Sequence, residues 1–154
     1  MPIHAITTLE LNAPIDRVWQ VMTELGSYKE WNPFVVDVVG PTRPLQIGDP
    51  LTLSVVWADG GKLQSGEKVT QVEPPHDEAG LRRAVLAYCF TGWIPALNLV
   101  RSTRVQSLEQ KAGGPTVYTS LEEFRGFAAA YVPLQKVQDG FDRHARALKL
   151  RVER

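Results

Sequence analysis

Residues 116–152 read TVYTSLEEFRGFAAAYVPLQKVQDGFDRHARALKLRV, a strand-like run and a long helix-like run separated by small residues. In the second run Leu134, Val137, Phe141, Ala145, Leu148 and Val152 recur at i, i+3, i+7, i+11, i+14 and i+18, so one apolar stripe lies along its whole length. Pro133 suits the start of that helix because its missing N–H has no intrahelical partner there. In the first run Tyr118, Ser120, Glu122 and Phe124 share one face, while Val117, Thr119, Leu121, Glu123 and Arg125 share the other. Neither face is uniformly apolar. The aromatic pair predicts that the Tyr118–Phe124 face looks inward and carries Glu122 with it.

A helix with so long a stripe needs an apolar surface to cover it, and the preceding sequence supplies a sheet. Residues 34–39, 51–57, 62–72, 83–91 and 99–108 are strand-like, and with 116–125 they make six successive strands. Their connectors are 41–44, 59–61, 74–80, 93–96 and 111–115, short enough to predict an antiparallel meander. Upstream, residues 3–11 form a first strand, and Asn12-Ala13-Pro14 opens a helix with Ile15, Val18, Trp19, Met22 and Leu25 on one face. Gly26 is expected to stop that helix. Ser27-Tyr28-Lys29-Glu30 has capping-box spacing for a short second one, which Pro33 ends. The order is strand, two helices, six strands, helix: an α+β fold.

At 154 residues and 44% hydrophobic content the chain builds one core, predicting a single domain over 1–154. Lys+Arg and Asp+Glu both total 17, so no overall positive field attracts nucleic acid. No apolar run approaches the roughly 20 residues that span a bilayer, and Met1 to Ile6 lacks the basic and apolar regions of a signal peptide. Cys89 is the one cysteine and lies in an apolar run. A cytoplasmic protein without stable membrane insertion is the expectation. His4, His76 and His144 form no ligand cluster, and His144 reads as lying away from the main apolar stripe; no metal or other cofactor is expected.

The element order, with Ala13-Pro14-Ile15-Asp16-Arg17-Val18-Trp19, then Trp31-Asn32-Pro33-Phe34, then Glu122-Glu123-Phe124-Arg125-Gly126 before the last helix, resembles the START/Bet v 1-like (SRPBCC) superfamily, and within it the polyketide cyclase/dehydrase group. The resemblance covers essentially the whole chain. It implies a helix-grip fold, in which a curved seven-stranded antiparallel sheet wraps the C-terminal helix, with two short helices between strands 1 and 2 and a cavity between sheet and long helix. It implies no particular reaction, since members include lipid carriers, hormone receptors, cyclases and chaperone activators.

In an up-and-down meander alternate connections share an end of the sheet. One end carries Trp31, Phe34, Trp57, Trp93, Ile94, Leu97, Phe127, Tyr131 and Val132, whereas the other carries polar and charged loops. Large apolar side chains in turns mark ligand or partner sites, which puts the mouth of a cavity at that end. The ligand-binding candidates are Trp31, Phe34, Trp57, Tyr88, Phe90, Trp93, Ile94, Phe124, Phe127, Tyr131 and Phe141. The competing readings are aromatics that plug the core and a homodimer interface. Glu122 and Tyr118 are the candidates for chemistry: a carboxyl desolvated in a pocket can serve as a general base. The alternative for Glu122 or Glu123 is an ion pair with Arg101 or Arg104. Gly140 asks either for tight packing of the last helix or for a bend. The expected function is binding of a hydrophobic molecule such as a polyketide, lipid or sterol. The alternatives are a cofactor-independent cyclase or dehydratase using the same cavity and a protein-interaction module using the apolar end.

Overall fold

The computed structural model describes residues 3–154. The chain runs β1 (Ile3–Leu11), α1 (Ile15–Thr23), a 3-10 turn (Leu25–Ser27), α2 (Tyr28–Trp31), β2 (Val35–Val39), β3 (Pro50–Val56), β4 (Lys62–Glu78) and β5 (Leu81–Phe90). It continues through α3 (Trp93–Ala96), β6 (Arg101–Gln110), β7 (Thr116–Arg125), a 3-10 turn (Ala129–Tyr131) and α4 (Leu134–Val152). One seven-stranded antiparallel sheet has the order β1-β7-β6-β5-β4-β3-β2. The helices after β1 carry the chain to the far edge, and the meander then returns until β7 pairs with β1, Ile3 opposite Phe124 and Leu11 opposite Thr116. Inward residues of the curved sheet meet the stripe of α4 and the buried face of α1, and Leu11, Ile15, Met22, Leu108, Phe141 and Leu148 are fully buried in that shared core. Among the described residues no helix is long and apolar enough to cross a membrane.

Several local expectations are corrected. Helix α1 ends at Thr23, whose hydroxyl donates to the Trp19 carbonyl (2.8 Å), so Gly26 falls inside the following 3-10 turn and does not stop the helix. Ser27 makes no capping box; its hydroxyl donates backwards to the Glu24 carbonyl (2.8 Å). Residues 74–78, expected to be loop, extend β4 to Glu78. The prolines are tolerated because β3 pairs with β4 only as far as Lys68, and because the register with β5 shifts between Glu73 and His76. Residues 93–96, expected as an irregular connector, make one helical turn. His144 lies on the buried side of α4, seven residues after Val137 and three after Phe141, and is fully enclosed.

The helix packs tightly at Gly140, as the first of the two readings for that glycine has it. A β-carbon there would overlap the ring of Phe34. Asn32 fixes that ring's backbone: its Oδ1 accepts hydrogen bonds from the N–H groups of Phe34 (2.9 Å) and Val35 (3.0 Å).

Candidate functional site

Between the sheet and α4 lies a cavity of about 390 Å³. The two-residue period of the strands supplies its walls: Leu53 and Val55 from β3, Leu63 and Ser65 from β4, Phe90 from β5, Ser102 from β6 and Phe124 from β7. Phe34, Trp57, Val132, Val137 and Phe141 close the remaining sides.

Polar groups converge on one part of this wall. Tyr88, Arg104 and Glu122 are direct cross-strand neighbours on β5, β6 and β7, and Glu67 of β4 pairs with Phe90 beside them. The Arg104 guanidinium is buried. Its Nε donates to Ser120 Oγ (2.9 Å), Nη1 to the Tyr88 hydroxyl (3.2 Å) and Nη2 to His144 Nδ1 (3.2 Å), and its centre lies 4.2 Å from the centroid of the Phe141 ring. Because arginine only donates, His144 Nδ1 must accept; it also faces Asn32 Nδ2 at 3.2 Å. The imidazole proton therefore sits on Nε2, which has no hydrogen-bond partner among the described residues. Burial, and then the Arg104 charge, hold the His144 pKa well below the ordinary imidazole value, so the ring is neutral. Burial also works against the charge on Arg104, but Tyr88, Tyr118, Glu122 and Tyr28 around it outweigh that effect and keep the guanidinium charged.

The carboxyls behave differently. Glu67 is almost wholly enclosed, and burial pushes its pKa up to about 8 although the Ser65 hydroxyl donates to Oε1 (2.8 Å). Burial raises Glu122 as well, against the opposing pull of Ser102 and Arg104. The site thus combines one permanent cation with Glu67, which holds its proton near neutral pH, and Glu122, whose pKa burial raises in the same direction.

Of the residues proposed from sequence, Phe34, Trp57, Tyr88, Phe90, Glu122, Phe124 and Phe141 line the cavity. Trp31 packs behind it, with its ring centroid 5.0 Å from Tyr28 and 5.6 Å from His144. Tyr118 is completely buried outside the lining, donates to Gln106 Oε1 (2.7 Å) and stacks on His144. Trp93, Phe127 and Tyr131 project to the surface at 68%, 82% and 88% exposure, and Ile94 is half-buried away from the lining. The suggested ion pair takes another form: Arg104 stands opposite Glu122 but directs its hydrogen bonds elsewhere, while Glu123 pairs with Arg125 of its own strand (2.8 Å). Sequence reasoning missed Glu67, the place of Arg104 on the cavity wall and the buried His144. The first two were visible only as period-two partners of Ser65 and Ser102, and the third as i+7 from Val137.

A curved antiparallel sheet gripping a long C-terminal helix around an internal cavity is the architecture of the START/Bet v 1-like superfamily. Within it the chain belongs to the family described as polyketide cyclase/dehydrase and lipid transport, whose model matches residues 2–153. No curated protein matches the sequence. Among solved structures the chain is similar to the di-domain ARO/CYC BexL from the BE-7585A biosynthetic pathway (14% identity, TM-score 0.75), covering 99% of this chain and 50% of that one. It spans, that is, half of BexL. It is also similar to ginseng major latex-like protein 151 from Panax ginseng (9% identity, TM-score 0.75, 98% of this chain and 97% of that one) and to a protein from Thermobifida fusca (18% identity, TM-score 0.66, 97% and 92%). At these identities the likeness is one of fold.

Proposed function

We propose that this protein binds one hydrophobic small molecule of the polyketide, lipid or sterol type in the cavity between sheet and α4, with the molecule's polar group at the Tyr88–Arg104–Glu122 row. The observation that carries this reading is the cavity itself, with apolar sides and a polar cluster on one part of its wall. Its volume falls in the range of about 300–1,000 Å³ typical of small-molecule sites. Burying apolar surface there contributes about 25 cal/mol per Å², and a few polar groups fix orientation. Native mass spectrometry of the protein purified from cells tests it directly. The expected result is a one-to-one complex with an apolar compound that competes with a solvatochromic probe; probe binding that never saturates would sink the reading.

A second reading, a cofactor-independent cyclase or dehydratase acting in the same cavity, is favoured by two carboxyls whose pKa values burial raises, Glu67 to about 8, since a carboxyl raised that far donates and accepts protons near neutral pH. Conversion of a bound ligand, rather than its release unchanged, distinguishes it. The exposed Trp93, Leu97, Phe127 and Tyr131 favour a further role for that end in contact with a partner or a second copy. The working assignment includes a cytoplasmic location, where the single Cys89 stays a thiol, and no nucleic-acid partner for a chain whose charges balance.

A further inference from the structure

Of the ionisable groups on the cavity wall, Arg104 is the one that carries charge at every accessible pH, and its hydrogen bonds go to a serine hydroxyl, a tyrosine hydroxyl and a neutral imidazole. None of these is a counterion. A guanidinium has five N–H donors, so those three bonds leave two unengaged among the described residues. A buried cation without a bound anion is among the more expensive arrangements in a protein. It persists here beside an apolar cavity that is open to a ligand.

We infer that the cavity takes an amphipathic acid, an apolar molecule ending in a carboxylate or an equally acidic oxygen, seated on the unengaged N–H groups of Arg104. The inference deepens the binding reading and rests on it. A neutral alcohol of the same length would fill the walls equally but leave the cation unpaired. A carboxylate both fills the walls and makes charge-assisted hydrogen bonds, which are about twice as strong as neutral ones.

The same geometry couples affinity to pH. The titratable groups around Arg104 are Tyr28 from α2, Glu67 from β4, Tyr88 from β5, Tyr118 and Glu122 from β7 and His144 from α4. Burial raises all three tyrosines above their ordinary range, Tyr88 to about 12, and holds His144 neutral. Glu67, pushed up to about 8, is therefore the group that changes charge between mildly acidic and mildly alkaline solution, and burial raises Glu122 beside Arg104 in the same direction. While protonated these carboxyls leave Arg104 to the ligand. Once ionised they supply its counterion themselves and repel an incoming carboxylate, so affinity for an acid falls as pH rises through about 8.

Isothermal titration calorimetry of the full chain with decanoate and decanol at about pH 7 and about pH 9.5 tests this, using wild type, Glu67→Gln and Glu67→Gln/Glu122→Gln. In wild type decanoate should bind about tenfold more tightly than decanol at the lower pH. That preference should largely vanish at the higher one. Glu67→Gln should reduce the loss and the double variant abolish it, because glutamine fills the same space without titrating. Equal binding of acid and alcohol at the lower pH overturns the assignment of Arg104 while leaving the cavity reading intact. A preference that declines identically in the double variant overturns the coupling to the carboxyls. Failure of both probes to bind overturns the cavity reading together with the inference.

Discussion

The ring of Phe34 occupies the space where a β-carbon of residue 140 would stand. Phe34 cannot simply swing aside: its centroid is 5.7 Å from Trp57 and 6.1 Å from Phe141, and the Arg143 guanidinium lies 5.7 Å from its centroid. Gly140→Ala gains about 1 kcal/mol of helix propensity but overpacks a filled site, which costs about 1–3 kcal/mol. A net loss of stability is expected, together with weaker probe binding, because Phe34 lines the cavity. Phe34→Leu in the same chain should restore part of both. Denaturant midpoints and probe titrations that show Gly140→Ala indistinguishable from wild type would refute the packing account.

Asn32 holds that ring in place through three contacts at once, two from backbone N–H groups and one to His144. Asn32→Ala leaves two buried N–H groups without an acceptor and His144 Nδ1 with only Arg104. Each stranded group costs about 1–3 kcal/mol, so a loss of at least 2 kcal/mol is expected in chemical denaturation. A change under about 0.5 kcal/mol would mean that water replaces the amide.

The sheet and the last helix were legible because their periods are strong: alternation in residues 116–125 and the stripe from Leu134 to Val152 needed no tertiary information. The end of β4 was not, because Pro74 and Pro75 read as breakers until the missing β3 partner removes their penalty. In the sequence, Trp93, Phe127 and Tyr131 read as cavity residues because large apolar side chains in turns mark ligand or partner sites; the structure turns them outward. The polar cluster was the least legible part. Glu67, Arg104, Glu122 and His144 come from four different elements, and only the strand register and the curvature of the sheet around α4 bring them together.

That curvature gives a direct test of where the binding surface lies. Phe124→Ala removes a large side chain from the wall and should weaken an apolar fluorescent probe by about 1.5–3 kcal/mol. Trp93→Asp alters a surface residue off the wall and should leave the probe's affinity unchanged. The reverse pattern would relocate the site to the exposed loop cluster.

Glu67 links the site to global stability. Its native pKa of about 8 lies well above the ordinary carboxyl value of about 4.3 in an unfolded chain, so the folded protein holds the proton more tightly. The associated stabilisation is complete below about pH 4.3, falls as pH rises towards 8 and is gone above it. The span is on the order of 2–5 kcal/mol for a group this enclosed. Glu67→Gln removes the titration and should flatten that part of the curve, making the variant more stable than wild type at about pH 9. Parallel slopes for the two proteins between about pH 5 and 8 would show that Glu67 ionises freely in the folded state.

Glu122 separates chemistry from architecture. It stands opposite Arg104 in the ladder, yet the hydrogen bonds of Arg104 go to Ser120, Tyr88 and His144, so the arginine does not depend on it for a partner. Glu122→Gln should therefore change stability by no more than about 1 kcal/mol near neutral pH, the amide filling the same space and still accepting from Ser102. A loss of about 3–5 kcal/mol would instead reveal a buried ion pair broken on one side. If the protein acts on its ligand, the variant should bind with near wild-type affinity at mildly acidic pH but lose turnover, because glutamine cannot carry the proton. The denaturant midpoint, the probe affinity and the fate of a bound polyketide-like acid, measured on one preparation, resolve these outcomes. A stable variant that binds and converts the ligand as wild type does across pH removes Glu122 from the chemistry and leaves Glu67 as the remaining carboxyl on the cavity wall.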